Sequence, residues 1–142
     1  MLLDDLKLRP PLVRPGVVPR ARLTRVRESA ARSRLVLVSA PAGYGKSTLV
    51  AEWSELDPRV SGWVNLDHGD NDPVVLLAHV AAMLERIGAS PDGLLEELSR
   101  QRPRIDRVAL PLLAAELEAF GPVVLVMDDV VPSRFRGPYP PT

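Results

Sequence analysis

The sequence has no cysteine, which removes two kinds of site at once: neither a disulfide framework nor a thiolate metal centre can be built from it. Aromatic residues make up only 4% of 142 residues, so a core must rest on leucine, valine and alanine. Net charge is missing as well. Eighteen Lys and Arg balance eighteen Asp and Glu, which gives no overall attraction to nucleic acid or to a membrane surface. No apolar run is long enough to span a bilayer. The start, MLLDDLKLRP, carries two aspartates and lacks the apolar stretch of a signal peptide. These absences predict a cytoplasmic protein. Apolar content is ordinary at 46%, enough for one domain that buries about two thirds of its unfolded surface.

Charge and proline are unevenly spread. From Lys7 to Arg34 nine basic side chains accompany Glu28 alone, which is either a solvated basic face or a phosphate-facing segment. Pro10, Pro11, Pro15 and Pro19 make residues 1–20 an extended arm, and a short helix is expected over 21–32. LVLVS, 35–39, is apolar throughout and suits a strand buried on both faces of a parallel sheet. KSTLVAEWSEL, 46–56, follows as a helix with Leu49, Val50 and Trp53 on one side. GWVNL, 62–66, reads as a second strand. The next helix has Asp72 as its cap, Pro73 at its first position and Gly88 at its end. It is apolar nearly all round and should be buried. Short helices over about 94–101 and 111–120 precede VVLVM, 123–127, the third buried strand. Strands alternating with helices predict an α/β fold with a mainly parallel sheet. Four prolines in VPSRFRGPYPPT, 131–142, predict a disordered tail.

The chemistry concentrates in two stretches. SAPAGYGKST, 39–48, has the composition of a phosphate loop, in which backbone N–H groups converge on oxygens and little side-chain bulk is tolerated. Gly43 and Gly45 supply backbone freedom, Lys46 reaches the β- and γ-phosphates, and the Ser47 hydroxyl can bind Mg²⁺. The helix that starts there points its positive end at the same anion. The pattern G-x-x-x-x-G-K-[ST] is met except that Ala40 stands at the first glycine, the mildest departure available. The second stretch is VVLVMDD. A strand ending in Asp128 and Asp129 puts two carboxylates at the carboxyl edge of a parallel sheet, where ligands bind in such folds. Asp128 would hold Mg²⁺ through water, and Asp129 would orient or deprotonate the attacking water. LDHGDND, 66–72, has three aspartates but lacks the spacing of a Ca²⁺ loop, so it reads as a turn and helix cap. His68 and His79 show no metal-ligand spacing and read as solvated or packed. Trp53 and Trp63 read as core residues.

Four blocks together resemble the nucleotide-binding domain of the large ATP-binding LuxR-type, or MalT-like, regulators, which belong to the STAND class of P-loop NTPases. They are LKLRPPLVRPGVVPRARL (6–23), LVLVSAPAGYGKSTLVAEW (35–53), GWVNLDHGDNDP (62–73) and PVVLVMDDV (122–130). The resemblance implies a P-loop three-layer sandwich, incomplete at about three strands. Residues 1–34 would be the arm and short helix, 35–130 the partial NTPase domain and 131–142 the tail. The implied ligands are ATP or ADP with Mg²⁺. They would be held by Ala40, Pro41, Ala42, Gly43, Tyr44, Gly45, Lys46, Ser47 and Thr48 of the Walker A loop, with Ser47 and Asp128 on the metal. Val18 and Arg20 of the arm would lie near adenine and ribose, although a surface role for Arg20 stays open.

A switch between ADP-bound rest and ATP-bound assembly is implied, with slow hydrolysis as reset. Full members add further strands, a helical domain, sensor repeats and a DNA-binding helix-turn-helix, so no direct DNA contact is expected from this segment. In that class a later strand lies between the phosphate-loop strand and the strand with paired aspartates. The Pro-rich tail cannot supply it, which leaves strand edges open to self-association. The alternatives are a self-contained small P-loop kinase or ATPase and a non-catalytic remnant of a broken regulator gene.

Overall fold

The computed structural model describes residues 5–12, 21–39 and 45–129. A 3-10 turn at Asp5–Leu8 comes first, then helices α1 at Ala21–Ala30 and α2 at Lys46–Leu56. Strand β1 at Val60–Asn65 leads through a 3-10 turn at His68–Asn71 into α3 at Pro73–Arg86. Next come α4 at Asp92–Leu98, a π turn at Ile105–Ala109 that runs into α5 at Leu110–Phe120, and β2 at Val123–Asp128. β1 and β2 pair in parallel, from Val60 opposite Val123 to Asn65 opposite Asp128. Both strands therefore end at the same carboxyl edge. The architecture is α/β.

α3 forms where local signals agree. Asp72 Oδ1 accepts the Val74 N–H at 2.8 Å, Pro73 opens the helix, and Gly88 at φ 99 lies just past its end. Every residue from Leu77 to Leu84 is buried, because α3 serves two apolar clusters. Val80, Met83 and Leu84 pack with Leu8 and Val64, while Leu77 and Ala81 pack with Leu94, Leu98 and Ala109. The first cluster brings α3 down onto β1 at Gly62, where a Cβ would overlap the sulfur of the fully buried Met83. Between α2 and β1 the chain turns on a fork: Arg59 Nε and one terminal nitrogen donate to the two Asp57 oxygens at 2.8 and 2.7 Å. The Arg59 guanidinium and backbone N–H hold the Asp57 carboxyl down to about 2.

The run 35–39 departs from expectation: it forms no strand. Leu35 and Leu37 are 84% and 83% exposed. A strand that is apolar on both faces needs a hydrogen-bonded neighbour and covering layers. The two described strands pair only with each other, so the run has no ladder to join. The arm also departs from a wholly extended segment, since Asp5–Leu8 makes a 3-10 turn and Leu8 is buried in the first cluster. A sheet of three strands is therefore not formed among the described residues. Trp63 is a core residue as expected, and Trp53 is half-buried.

Candidate functional site

Gly45 stands at the N-terminus of α2 with φ 76 and ψ 29, a left-handed conformation that glycine adopts without strain. Its carbonyl accepts the Leu49 N–H at 3.0 Å, which starts the helical ladder. Lys46, Ser47 and Thr48 fill the first turn and are half-buried. The N–H groups of a first turn have no partner within the helix, so with the helix dipole they make a site suited to an anion. The other half of the loop, Ala40, Pro41, Ala42, Gly43 and Tyr44, lies outside the described residues. So do Val18, Pro19 and Arg20 of the arm and the tail at 131–142.

The paired aspartates occupy the end of β2. Asp128 is half-buried, and one of its carboxylate oxygens accepts the Asp129 N–H at 2.9 Å. Its carbonyl accepts the Leu66 N–H at 2.8 Å, which continues the ladder one step past β1. Asp129 is exposed and has φ 57, the one non-glycine in the left-handed region among the described residues. Aspartate tolerates that region better than most residues, and such conformations cluster at functional sites. α2, which carries Lys46–Thr48, packs against β2, which ends in Asp128. The two motifs thus belong to elements in contact.

One group of residues was not legible as a unit. Lys7 of the arm places Nζ 2.8 Å from Asp67 Oδ2 and 2.7 Å from Asp70 Oδ2. Asp70 is buried; its Oδ1 lies 2.8 Å from Nδ1 of buried His79 on α3, and its Oδ2 accepts the Asp67 N–H at 2.8 Å. Burial alone would raise the Asp70 carboxyl, but the bonds from Lys7, the Asp67 backbone and His79 outweigh it and hold it below the usual range. Burial pulls Lys7 the other way, yet Asp67 and Asp70 keep its ammonium above its usual value. Asn65, opposite Asp128 in the sheet, donates from Nδ2 to the carbonyls of Lys7 and Arg9 at 3.2 and 3.0 Å.

The turn-and-cap reading of LDHGDND holds as far as it went. Asp67 caps the 3-10 turn by accepting the Gly69 N–H, and Asp72 caps α3. His79 is packed and His68 is exposed. A cavity of about 270 Å³ is lined by Leu8, Ala51, Glu55, Trp63, Met83 and Arg86 among others. Among the described residues no helix is long and apolar enough to cross a membrane.

Two curated proteins of different kinds share this segment. The HTH-type transcriptional regulator MalT of Yersinia pestis is 36% identical over 130 residues, 90% of this chain and 14% of MalT. Over this segment the chain is similar to MalT. The serine/threonine-protein kinase PknK of Mycobacterium tuberculosis is 33% identical over 128 residues, 87% of this chain and 12% of PknK. The chain therefore spans well under a fifth of the length of the curated relatives it matches. No family model matches the chain, and no solved structure does.

Proposed function

We propose that this chain is an ATP-binding switch module of a MalT-like, signal-responsive regulator, built on an incomplete P-loop sandwich and taking Mg-ATP or Mg-ADP. The observation that carries the reading is the join at Gly45: a phosphate-loop sequence runs into a left-handed glycine that opens α2, and α2 packs on the strand ending in Asp128 and Asp129. The relatives add support. Their matches cover 87% and 90% of this chain and so must overlap, yet one protein is named a kinase and the other a transcriptional regulator. A segment common to both suits a shared regulatory module better than kinase chemistry or DNA reading.

In this reading the backbone N–H groups of the 40–48 loop, Pro41 having none, and the Lys46 ammonium hold the phosphates, while the adenine and ribose lie against Val18 and Arg20. Ser47 and Asp128 offer hard oxygen ligands, the donor type that Mg²⁺ takes, with Asp128 acting through water. Asp129 orients the attacking water. Phosphoryl transfer depends mostly on positioning, so with the 35–39 run outside the sheet turnover should be negligible. Asp128→Asn should reduce Mg²⁺-dependent nucleotide binding more than metal-free binding, and Asp129→Asn should leave binding nearly intact while removing residual hydrolysis. Calorimetry with and without Mg²⁺ checks this division, and equal effects of the two changes on binding would contradict it.

The same exposed run supplies a self-association surface, because open strand edges and unpartnered Leu35 and Leu37 favour pairing with a second copy. Sedimentation should show concentration-dependent association that Leu35→Lys with Leu37→Lys suppresses at unchanged Tm. A parent chain that stays monomeric at high concentration would remove this part of the reading.

A further inference from the structure

We propose that the cavity enclosed by the arm, α2, the first half of β1 and α3 is a second binding site, which takes a small arylalkylammonium ion. It is separate from the nucleotide site proposed above. Its strand residues are Ser61, Gly62 and Trp63, whereas Asp128 stands opposite Asn65 at the far end of β1. The walls are mainly apolar. Leu8 and Pro10 come from the arm, Ala51 from α2, Trp63 from β1, Met83 from α3 and Ile87 from the end of α3. The arm is fastened as one wall, because Asn65 Nδ2 donates to the carbonyls of Lys7 and Arg9 on either side of Leu8. Glu55 and Arg86 are exposed, so the cavity reaches solvent at these two residues.

Size and polarity together select the ligand. An apolar cavity of about 150 Å³ holds a benzene molecule. The volume of about 270 Å³ found here therefore has room for one ring and a short tail. Arg86, the one cation among the described lining residues, is already met by the Asp5 carboxylate. Glu55 has no hydrogen bond or ion pair among the described residues. Ser54 spends its proton on the Val50 carbonyl at 2.8 Å, which leaves its oxygen to accept. The Met83 thioether is a further weak acceptor. The Trp63 indole, the ring type that attracts a cation best, stands in the same wall. The lining thus offers acceptors and one unbalanced negative charge, which favours a cation over an anion of the same shape.

The experiment follows the indole N–H resonance of Trp63 in the full chain, assigned with Trp53→Phe, as phenethylamine is added. A saturable shift is expected. Phenylpropanoate, which carries the same ring on an anionic tail, should bind at least about tenfold more weakly. Glu55→Gln keeps the size and removes the charge at an exposed position outside both apolar clusters, so it should fold as the parent does. It should weaken phenethylamine about five- to tenfold, and bring the two ligands within about twofold of each other. Ala51→Leu fills the cavity from α2 and should abolish binding of both. If that variant fails to fold, the Glu55→Gln comparison decides alone. An unmoved Trp63 resonance, equal binding of the two ligands by the parent, or a Glu55→Gln chain that matches the parent would each overturn the proposal. So would a folded Ala51→Leu chain that binds phenethylamine as before.

Discussion

Asp70→Ala should cost about 3 to 5 kcal/mol of folding stability, the range for removing one member of a buried charge pair. The loss is large because three donors converge on this carboxylate and the change strands them together. Lys7 keeps Asp67 as a partner, but His79 on α3 and the Asp67 N–H lose theirs. Native domains are stable by only about 5 to 15 kcal/mol, so this one change should bring the chain close to unfolding. Urea denaturation of parent and variant at pH 7 measures it, and a loss under about 1 kcal/mol would put the pair in the class of surface ion pairs.

The same network sets a pH profile with a definite sign. Asp70 and Asp67 are held below their ordinary value of 3.8, so they bind protons less readily folded than unfolded. Their contribution is full above that value and disappears as pH falls through the lower folded values. Lys7 is held above its ordinary 10.5, so its contribution is full below that value and fades as pH rises further. The stability difference between parent and Asp70→Ala should accordingly shrink in strong acid.

Lys46→Ala should weaken Mg-ATP about ten- to a hundredfold, the equivalent of about 1.5 to 3 kcal/mol for a hydrogen bond to a charged group. The effect is large because the lost group is a full charge in the first turn of α2, half-buried and next to the loop proposed to hold the same phosphates. The variant should fold as the parent does, since no apolar cluster includes this side chain. Titration calorimetry checks it. Equal affinities would mean that the glycine-started helix binds no phosphate.

The parts of the fold written in local chemistry could be read from the sequence. α2 begins at Lys46 because Gly45 supplies the left-handed turn, and α3 begins at Pro73 because Asp72 caps it. β2 ends at Asp128 where the apolar run stops. What depended on distant partners was not legible. LVLVS has a buried strand's pattern, but pattern records only what the segment would do with neighbours on both sides. β1 starts two residues early, at Val60, because its register with Val123 extends the ladder past the apolar run. The π turn at Ile105–Ala109 carried no helical stop or start that would mark it. The network of Lys7, Asp70 and His79 was hidden for a different reason. Asp70 sits between Asp67 and Asp72, both true caps, so a third aspartate looked like more turn chemistry, and its partner Lys7 lies 63 residues away. A lone lysine beside the only buried leucine of the described arm was the trace available.

The central claim is that ATP sits between the 40–48 loop and the arm, and photo-labelling of the whole chain with 8-azido-ATP and Mg²⁺ tests it most directly. The reagent carries its reactive group on adenine, so it reports position even when affinity is low. The account predicts adducts within residues 13–20, competed away by ATP and lost in Lys46→Ala. Labelling that falls on the 270 Å³ cavity beside Trp63, or that persists unchanged in Lys46→Ala, would contradict it.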